Sequence, residues 1–335
     1  MMPSLGANIL AADREFAGRK RSGGTAVLAA LALAGCATAP AEVASAPVPV
    51  AAPAAATLGG DAPAPDPMRW TYGSGEAAAA AVQAWRALAD YTIAVSRQRK
   101  LPQSVPLGLP DAPGGIGTPA CQRADGTQKP FAAVFDVDET VILNRGYEYW
   151  LALGNPFRPD DFTKWAKDGA PYAVPVPGAV TGIRRLREAG IAVVYNTNRP
   201  SSTAAGTIAA IEKAGVGPAV HGETLFLAGD DALGGNKDGR RRTISDSYCV
   251  IALGGDNLGD FAERFNDKAL TVHQRRELAA RGDIARLWGN GWFLIPNAAY
   301  GAWQKGTIDD VFPPDARWTP DTPTRTAPDI TNEGE

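Results

Sequence analysis

An apolar segment that ends abruptly in acidic residues constrains the fold of this chain more than any other feature. Residues 131–135, Phe-Ala-Ala-Val-Phe, have the composition of a buried strand, and Asp136 and Asp138 follow directly. On an extended backbone residues i and i+2 point the same way, so both carboxylates face one place beyond the carboxyl end of the strand. Open α/β sheets bind ligands there, and repulsion between two close carboxylates favours a hard cation. We therefore predict a Mg²⁺ site with Asp136 as a nucleophile.

Composition excludes several other classes of function. The 335 residues include 33 basic and 36 acidic side chains, a formal net charge of −3, whereas proteins that bind duplex nucleic acid are strongly basic. His221 and His273 are the two histidines, which argues against a multi-histidine zinc site and against a histidine nucleophile. A calcium-binding EF-hand loop beginning at Asp136 also fails, because Val141 stands where that loop requires glycine.

The N-terminal residues have the pattern of a secretory signal. Basic residues between 14 and 21 precede an apolar, alanine-rich run at 26–34, which is too short to span a bilayer comfortably. The run ends in Leu-Ala-Gly-Cys36, which resembles a bacterial lipobox, and the resemblance implies cleavage before Cys36 and lipid attachment to its sulfur. A plain signal peptide with an incidental cysteine is the alternative. Ala37 after the cysteine, rather than aspartate, implies by the same resemblance an outer-membrane lipoprotein.

Composition also divides the rest of the chain. With 1–35 as the signal, residues 36–68 are rich in Ala, Pro and Val and are predicted to form an extended tether that buries no core. Residues 69–312 are predicted to fold as one domain, and the polar, Pro-rich residues 313–335 to form a loosely ordered tail. Outside the cytoplasm Cys121 and Cys249 either form a disulfide or remain two buried thiols, and the sequence leaves both open.

Strand and helix patterns alternate through the predicted domain. Apolar periodicity and terminal glycines predict helices at 73–97, 178–189, 203–214 and 272–287, and a basic helix or turn at 237–248. A short helix is predicted to start near Asp160, whose side chain is expected to cap it, and the Pro- and Gly-rich residues 101–130 are predicted to form a loop. Short apolar runs predict strands at 131–136, 191–196, 224–227, 249–253 and 291–295. This alternation indicates an α/β fold with a Rossmann-like, doubly wound parallel sheet.

Polar side chains follow four of these strand ends or turns. They are Asp136 and Asp138, the stretch from Asn196 to Arg199, Lys237 with Arg241, and Asp256 with Asp260. Transfer of a phosphoryl group to a carboxylate needs such a set, because cations must screen the approach of an anionic ester to an anionic nucleophile. The four places together therefore predict a phosphomonoesterase.

Each of these groups is given a role. Mg²⁺ is expected on Asp136, the Asp138 backbone carbonyl and Asp256, with Asp260 behind them orienting a water. Lys237 is expected to neutralise the nucleophile and the phosphoryl oxygens. The Thr197 hydroxyl is expected to donate to those oxygens. The Asp138 carboxyl is expected to protonate the leaving alkoxide and then to take a proton from the attacking water.

The motifs Asp136-Val-Asp-Glu-Thr, Thr197-Asn-Arg, Lys237 and Gly255-Asp-Asn-Leu-Gly-Asp260 resemble the four motifs of the haloacid dehalogenase superfamily. More narrowly, the chain is similar to the class C acid phosphatases, the lipoprotein e(P4) 5′-nucleotidase group, from about residue 70 to about residue 305. The resemblance implies a Rossmann-like core with small cap elements, and hydrolysis of phosphomonoesters outside the cytoplasm.

The same resemblance implies how substrate is held. Nucleotide-hydrolysing members clamp the base between aromatic rings, and Trp165 and Tyr300 occupy the matching stretches. Asn198 and Arg199 of the second motif are counted with them as substrate-binding residues. The chain departs from the family at Asn144-Arg-Gly, which bears on the choice of substrate and not on the nucleophile.

Three functions are weighed. The favoured one is a lipid-anchored, Mg²⁺-dependent phosphatase for nucleoside 5′-monophosphates; the second is a broad-specificity phosphatase without base preference. The third is a non-catalytic binding lipoprotein, against which the presence of Asp136 argues. The predicted partners are a small phosphomonoester and, through the anchor, the membrane, with no nucleic-acid polymer; a homodimer is left open.

Overall fold

The structure is a computed structural model, and it describes residues 62–321. The predicted signal segment, Cys36 and most of the predicted tether therefore lie outside the described residues, as does the end of the predicted tail. The last residues of the predicted tether belong to the fold, because helix α1 (Asp66–Met68) runs directly into a π-helical turn at Arg69–Gly73.

The strands place the candidate motifs along one sheet. In chain order they are β1 (Leu107–Gly108), β2 (Ile116–Gly117), β3 (Phe131–Phe135), β4 (Ile142–Leu143), β5 (Val174–Pro175), β6 (Ala192–Pro200), β7 (Leu225–Ala228), β8 (Cys249–Gly255) and β9 (Trp292–Leu294). Five of them form a parallel sheet in the order β7-β6-β3-β8-β9. The chain thus winds from β3 to one edge of the sheet and then returns to the other. This is the predicted doubly wound, Rossmann-like α/β fold.

Helices cover both faces of this sheet. In chain order after α1 they are α2 (Gly75–Ser96), α3 (Arg145–Ala152), α4 (Pro159–Asp168), α5 (Ala179–Glu188), α6 (Ala204–Lys213), α7 (Asp238–Ser247), α8 (Val272–Ala280), α9 (Gly282–Ala285) and α10 (Ile308–Val311). The longest, α2, begins where the Ser74 side chain accepts a hydrogen bond from the Ala77 amide at 3.0 Å. Its buried face carries Trp85, whose ring stacks on Phe135 of β3 with centroids 5.0 Å apart. Packing of this kind fixes the central strand beneath the site.

Alternate residues of the central strands enter two separate cores. Ala133 and Phe135 pack on one face of the sheet, and Ala132 and Val134 pack on the other. All four are buried, as expected of a parallel strand covered on both faces. The apolar run of β3 is therefore explained by burial on two sides, and the polar residues begin where that burial ends.

Small elements between β3 and α5 form the predicted cap. β4 and β5 pair antiparallel, and helices α3 and α4 lie between them in sequence. Helix α3 was not predicted, because its aromatic segment has no clear helical period. The prediction that Asp160 is the N-cap residue of α4 is also wrong, because the helix begins at Pro159 after Arg158 and Asp160 lies in its first turn.

Three other local predictions are refined. The region 101–130, predicted as loop, contains the antiparallel pair of β1 and β2. The helix predicted at 272–287 is broken, since α8 ends at Ala280 and Gly282 adopts a positive φ of 58° that glycine tolerates. A disulfide joins Cys121 to Cys249, with Cα atoms 4.6 Å apart, which decides the alternative that the sequence left open. No helix within residues 62–321 has the length and apolar character needed to cross a bilayer.

Candidate active site

Asp136 and Asp256 lie side by side because they follow adjacent parallel strands, β3 and β8. The Asp136 amide donates to the Gly254 carbonyl at 3.0 Å, which extends the pairing of the two strands to Asp136. Asp260 lies in the turn that follows β8. One carboxylate oxygen from each of these three aspartates lies within 4.8 Å of the others, a spacing that can hold one metal ion.

The ammonium of Lys237 lies between two of these carboxylates. It donates to an oxygen of Asp136 and, at 2.7 Å, to Oδ1 of Asp260. Lys237 is buried just before α7, and burial by itself lowers the pKa of its ammonium. The carboxylates of Asp136 and Asp260 outweigh that effect and raise the pKa above its ordinary value, so the lysine is held in its charged form. The predicted contact of Lys237 with the nucleophile is present.

Neutral donors hold Asp256. Thr140 donates to Oδ1 at 3.1 Å, and the side-chain amides of Asn257 and Asn297 donate to Oδ2, each at 2.7 Å. Burial, followed by the carboxylates of Asp260 and Asp136, raises the pKa of Asp256 well above its ordinary value. Neutral donors therefore orient this carboxylate without neutralising its charge.

The charges of this group fit a divalent cation. Three carboxylates face one ammonium, so the group carries two uncompensated negative charges in a buried place when all three carboxyls are ionised. Burial raises the pKa of Asp136 to about 7; the Lys237 ammonium opposes this shift, and the carboxylates of Asp260 and Asp138 add to it. Oxygen donors with excess negative charge are the ligands of Mg²⁺ and Ca²⁺.

The second aspartate of the pair has a different environment. The carboxylate of Asp138 accepts from Nε of Arg199 at 2.9 Å, from the Asn144 side chain at 2.8 Å and from the Thr197 hydroxyl at 3.3 Å. Burial raises the pKa of Asp138, but the Arg199 guanidinium overcomes this effect and holds the pKa below its ordinary value. Asp136 and Asp138 thus face one cavity but are bound to different cations.

A cavity of about 810 Å³ opens over both carboxylates. Asp136, Lys237 and Asp256 lie at its inner end, which we call the floor. Residues of α3, α4 and the segment between them line one side, which we call the cap wall: Tyr147, Glu148, Leu151, Phe157, Pro159, Phe162 and Thr163. The site therefore combines an acidic, cation-binding end with a wall rich in aromatic side chains.

Comparison with known families identifies this arrangement. A sequence model described as HAD superfamily, subfamily IIIB (Acid phosphatase), matches residues 117–303, more than half of the chain. The chain belongs to this family of acid phosphatases. It is therefore a hydrolase of phosphomonoesters, and the predicted membership of the haloacid dehalogenase superfamily is confirmed.

Two solved structures resemble this acid phosphatase over most of the described chain. One is the class C acid phosphatase from Bacillus anthracis with tungstate bound, at 22% sequence identity and a TM-score of 0.54, covering 73% of this chain and 92% of that chain. The other is a structure of the class C acid phosphatase from the same organism, at 23% identity and a TM-score of 0.52, covering 71% of this chain and 84% of that one. At these identities the likeness establishes the shared fold.

Several predicted substrate-binding residues of the phosphatase have other contacts. Arg199 is 2% exposed and binds Asp138 and Asn144, so it positions a carboxylate and does not line the cavity. Thr197 lies with it, and its hydroxyl donates to Asp138. Asn198 does line the cavity, where its side-chain oxygen accepts from Arg240 at 2.6 Å.

The two predicted aromatic clamp residues differ from each other. Tyr300 lines the cavity, and its hydroxyl donates to Glu139 at 2.7 Å. Trp165 lies behind the cavity lining, beside Tyr147, and its indole N–H donates to Asn144 at 2.8 Å. The prediction that Trp165 contacts substrate is therefore not supported by its position, and the rings of the cap wall that line the cavity are Tyr147, Phe157 and Phe162.

Arg241 supports the turn that carries Asp260 from behind the floor. Arg241 is buried, and its guanidinium donates to the backbone carbonyls of Asp260, at 2.8 Å, and of Gly259, at 3.2 Å. The Asp260 carboxylate accepts from the Asn257 amide at 2.9 Å in a capping box. Arg241, one of the polar residues singled out in the sequence, thus fixes the turn that carries Asp260.

The sequence reasoning missed Glu139, a buried carboxyl at the centre of a hydrogen-bond network. It accepts from the Tyr72 hydroxyl at 3.0 Å, from Tyr300 at 2.7 Å and from the Asn144 amide at 2.7 Å. Burial and the neighbouring Asp138 carboxylate raise its pKa. Its φ of 52° lies in the left-handed region, which few non-glycine residues adopt. An acidic residue next to a metal-ligand pair was the available signal, but its partners are distant in sequence.

Proposed function

We propose that this acid phosphatase is a Mg²⁺-dependent enzyme that forms an aspartyl-phosphate on Asp136 and prefers nucleoside 5′-monophosphates. The observation that carries the proposal is the position of Asp136. Its carboxylate faces the cavity, contacts the Lys237 ammonium and lies at metal-ligand spacing from Asp256 and Asp260. A carboxylate so placed can meet an anionic ester where cations reduce the repulsion.

The donor set is the support for Mg²⁺. Asp136 and Asp256 would hold the ion together with the backbone carbonyl of Asp138, and Asp260 would orient a water on it. When bound, the ion supplies positive charge that screens the nucleophile from the phosphoryl oxygens. Lys237 supplies a second, permanent positive charge at the same carboxylate.

In the first half of the reaction an Asp136 oxygen attacks phosphorus, and the bond from phosphorus to the ester oxygen breaks. The electron pair of that bond goes to the leaving oxygen, which must take up a proton. Asp138 is the carboxyl placed to donate it, because it lines the same cavity. In the arrangement described, the Arg199 guanidinium holds the pKa of Asp138 low, so this donation is most demanding for leaving groups that are strong bases.

In the second half water attacks the phosphorus of the aspartyl-phosphate, and the Asp136 carboxylate leaves. An ionised Asp138 accepts the proton of that water, which suits the low pKa that Arg199 imposes. Asn144 and Thr197 hold Asp138 in position through their hydrogen bonds. Inorganic phosphate and the intact enzyme are the products of this step.

The cap wall supports nucleotides as substrates. Tyr147, Phe157 and Phe162 form a cluster of rings with centroids 5.4 to 6.4 Å apart, and such rings stack on planar bases. The second candidate, a broad-specificity phosphatase, is favoured by one observation: Trp165, expected to clamp a base, is engaged with Asn144 behind the wall. The two differ in how much the base contributes to turnover.

Kinetics with and without metal test the proposal. Chelator-treated enzyme should lose turnover of 5′-AMP and of an aryl phosphate, and Mg²⁺ should restore both. Intact-mass measurement after rapid acid quenching should show one added phosphoryl group, located by peptide mapping at Asp136. A kcat/KM for 5′-AMP well above that for the aryl ester supports the nucleotidase; equal values support the broad-specificity enzyme. Full activity without any divalent ion would reject the metal dependence.

The proposed location follows from the lipobox. Cys36 would carry the lipid and the Ala/Pro-rich segment would hold the catalytic domain away from the outer membrane. The Cys121–Cys249 disulfide supports a compartment outside the cytoplasm, where disulfides persist. Metabolic labelling with a fatty acid, lost in Cys36→Ser, tests this placement separately from the chemistry.

A further inference from the structure

Glu148 is a buried carboxyl for which the proposed chemistry has no use. It is 5% exposed, lies on α3 and lines the cavity on the cap wall. Within residues 62–321 its side chain takes part in no hydrogen bond and no ion pair, although Tyr72, Asn144 and Tyr300 nearby are all hydrogen-bonded to its neighbour Glu139. A carboxyl that faces a cavity without a protein partner is free to pair with a polar or charged group of a ligand that enters the cavity.

The charges around the cavity define that ligand group. The described side chains that line the cavity include six carboxylates and one ammonium, Lys237, which is already bound to Asp136 and Asp260. Apart from the four aspartates that follow β3 and β8, the carboxylates of the described lining are Glu148 and Glu263. Such a lining repels a leaving group that carries a second anion, and it attracts a positive one.

The neighbours of Glu148 also favour a positively charged ligand group. Tyr147, Phe157 and Phe162 line the same wall, and the faces of aromatic rings attract cations. Burial, followed by the carboxylates of Glu139 and Asp138, raises the pKa of Glu148 to about 8. An ionised Glu148 is therefore unfavourable while the cavity lacks a cation, and a cation bound against it would remove that disadvantage.

We propose that Glu148 and the aromatic cap wall form a leaving-group subsite that accepts organic cations, so that between two esters of the same shape the enzyme prefers the one whose alcohol carries a positively charged nitrogen. The proposal rests on phosphomonoester hydrolysis at Asp136 and adds a charge preference for the leaving group. It places the phosphoryl group on the floor and the charged nitrogen between Glu148 and the rings. Glu148 acts here in substrate recognition and takes no part in bond breaking.

A pair of isosteric esters tests the subsite. Phosphocholine and 3,3-dimethylbutyl phosphate have nearly the same shape and differ in the positive charge. With the Mg²⁺-loaded full chain we expect kcat/KM to be about tenfold higher for phosphocholine. Glu148→Gln, which removes the charge and conserves the shape, should lower kcat/KM for phosphocholine at least about fivefold more than for the neutral ester. Glu188→Gln, which removes an exposed carboxylate at the end of α5, should leave the ratio unchanged.

The outcomes separate this proposal from the proposed function. Equal kcat/KM for the two esters in the wild-type enzyme, or a ratio that Glu148→Gln does not change, would overturn the cation subsite. Hydrolysis of an aryl phosphate without measurable turnover of phosphocholine would also overturn it. Absence of turnover on the aryl phosphate as well, in folded protein with Mg²⁺, would instead reject the proposed function.

Discussion

The floor and the cap wall of one cavity are built in different ways. The floor is assembled from the ends of β3 and β8 and the residue before α7, and its side chains form a closed set of ion pairs and hydrogen bonds. The cap wall comes from two short helices and the segment between them, and its members include three aromatic rings and the carboxyl of Glu148. The floor is therefore suited to a fixed chemical step, and the wall to the choice of leaving group.

The two aspartates that follow β3, Asp136 and Asp138, also differ in their surroundings. Asp136 contacts Lys237, and burial raises the pKa of its carboxyl to about 7 against the opposing effect of that ammonium. Asp138 is bound by Arg199, and its pKa is lowered. Two residues apart in sequence, one carboxylate lies in the group with metal-ligand spacing beside Lys237, and the other is paired with Arg199.

Removing the nucleophile is expected to have the largest effect. Asp136→Asn should lower kcat at least about 10³-fold on every ester, because the amide conserves the shape but cannot form the acyl phosphate. Steady-state kinetics and intact mass after acid quenching measure this loss. Asp246→Asn, which changes an exposed aspartate of α7, should retain full activity. Near-normal turnover by Asp136→Asn would assign the nucleophile elsewhere and remove the distinction between floor and wall.

Replacing Asp138 should lower kcat/KM by an amount that depends on the leaving group of the substrate. Asp138→Asn should lower kcat/KM about 10²-fold for an alkyl phosphate and much less for an aryl phosphate, since a phenolate leaves without a proton. Because kcat/KM reports the steps up to release of the leaving group, it isolates the first half of the reaction. Parallel kinetics on the two esters measure the difference. Equal losses in kcat/KM would show that Asp138 is not the proton donor.

The sequence predicted the floor better than the wall for a physical reason. Strands β3, β6 and β8 are recognisable as apolar runs, and parallel pairing brings their carboxyl ends to one edge, so the meeting of Asp136 with Asp256 follows from local pattern plus sheet geometry. Lys237 also follows, because a buried carboxylate group requires a cation. The partners of Arg199 could not be predicted in this way, because a guanidinium that follows a strand can bind a phosphate or a carboxylate equally well.

The wall depends on packing that no spacing rule describes. Trp165 was expected to contact substrate, but the direction of its ring depends on how α4 lies against Tyr147 and on the hydrogen bond to Asn144. Helix α3 is short and aromatic, without a clear period in the sequence. Glu139 and Glu148 are buried by residues far away in the chain, such as Tyr72. Tertiary contacts of this kind become visible only in the folded structure.

Changes in the cap wall should have smaller, substrate-dependent effects. Phe157→Ala should lower kcat/KM for 5′-AMP about three- to tenfold and that for the aryl phosphate less, because a purine loses more stacking area than a single ring. Competition kinetics with both esters measure the ratio. Phe312→Ala is the matched control, since Phe312 is comparably exposed, at 56% against 62%, but does not line the cavity. An equal loss on both esters would favour the broad-specificity phosphatase.

The smallest predicted effect is on the pH dependence of stability, which should distinguish the carboxyl of Asp136 on the floor from that of Glu148 on the wall. A carboxyl whose folded-state pKa is raised stabilises the fold fully below its unfolded pKa, and this stabilisation is lost as the pH rises through the folded pKa. For Asp136 the loss extends from about pH 4 to about 7, and for Glu148 from about 4.5 to about 8.

The Tm of metal-free enzyme should therefore fall between pH 5 and pH 8. Mg²⁺ should remove the part of this fall in Tm that comes from the floor and leave the part that comes from Glu148. Glu148→Gln should abolish that second part. Each kcal/mol of lost stability corresponds to about 2–4 °C in Tm. Differential scanning calorimetry across this range measures both parts. A Tm that rises with pH in the metal-free enzyme, or a fall that Mg²⁺ removes completely, would show that the wall carboxyl is not held unpaired as described.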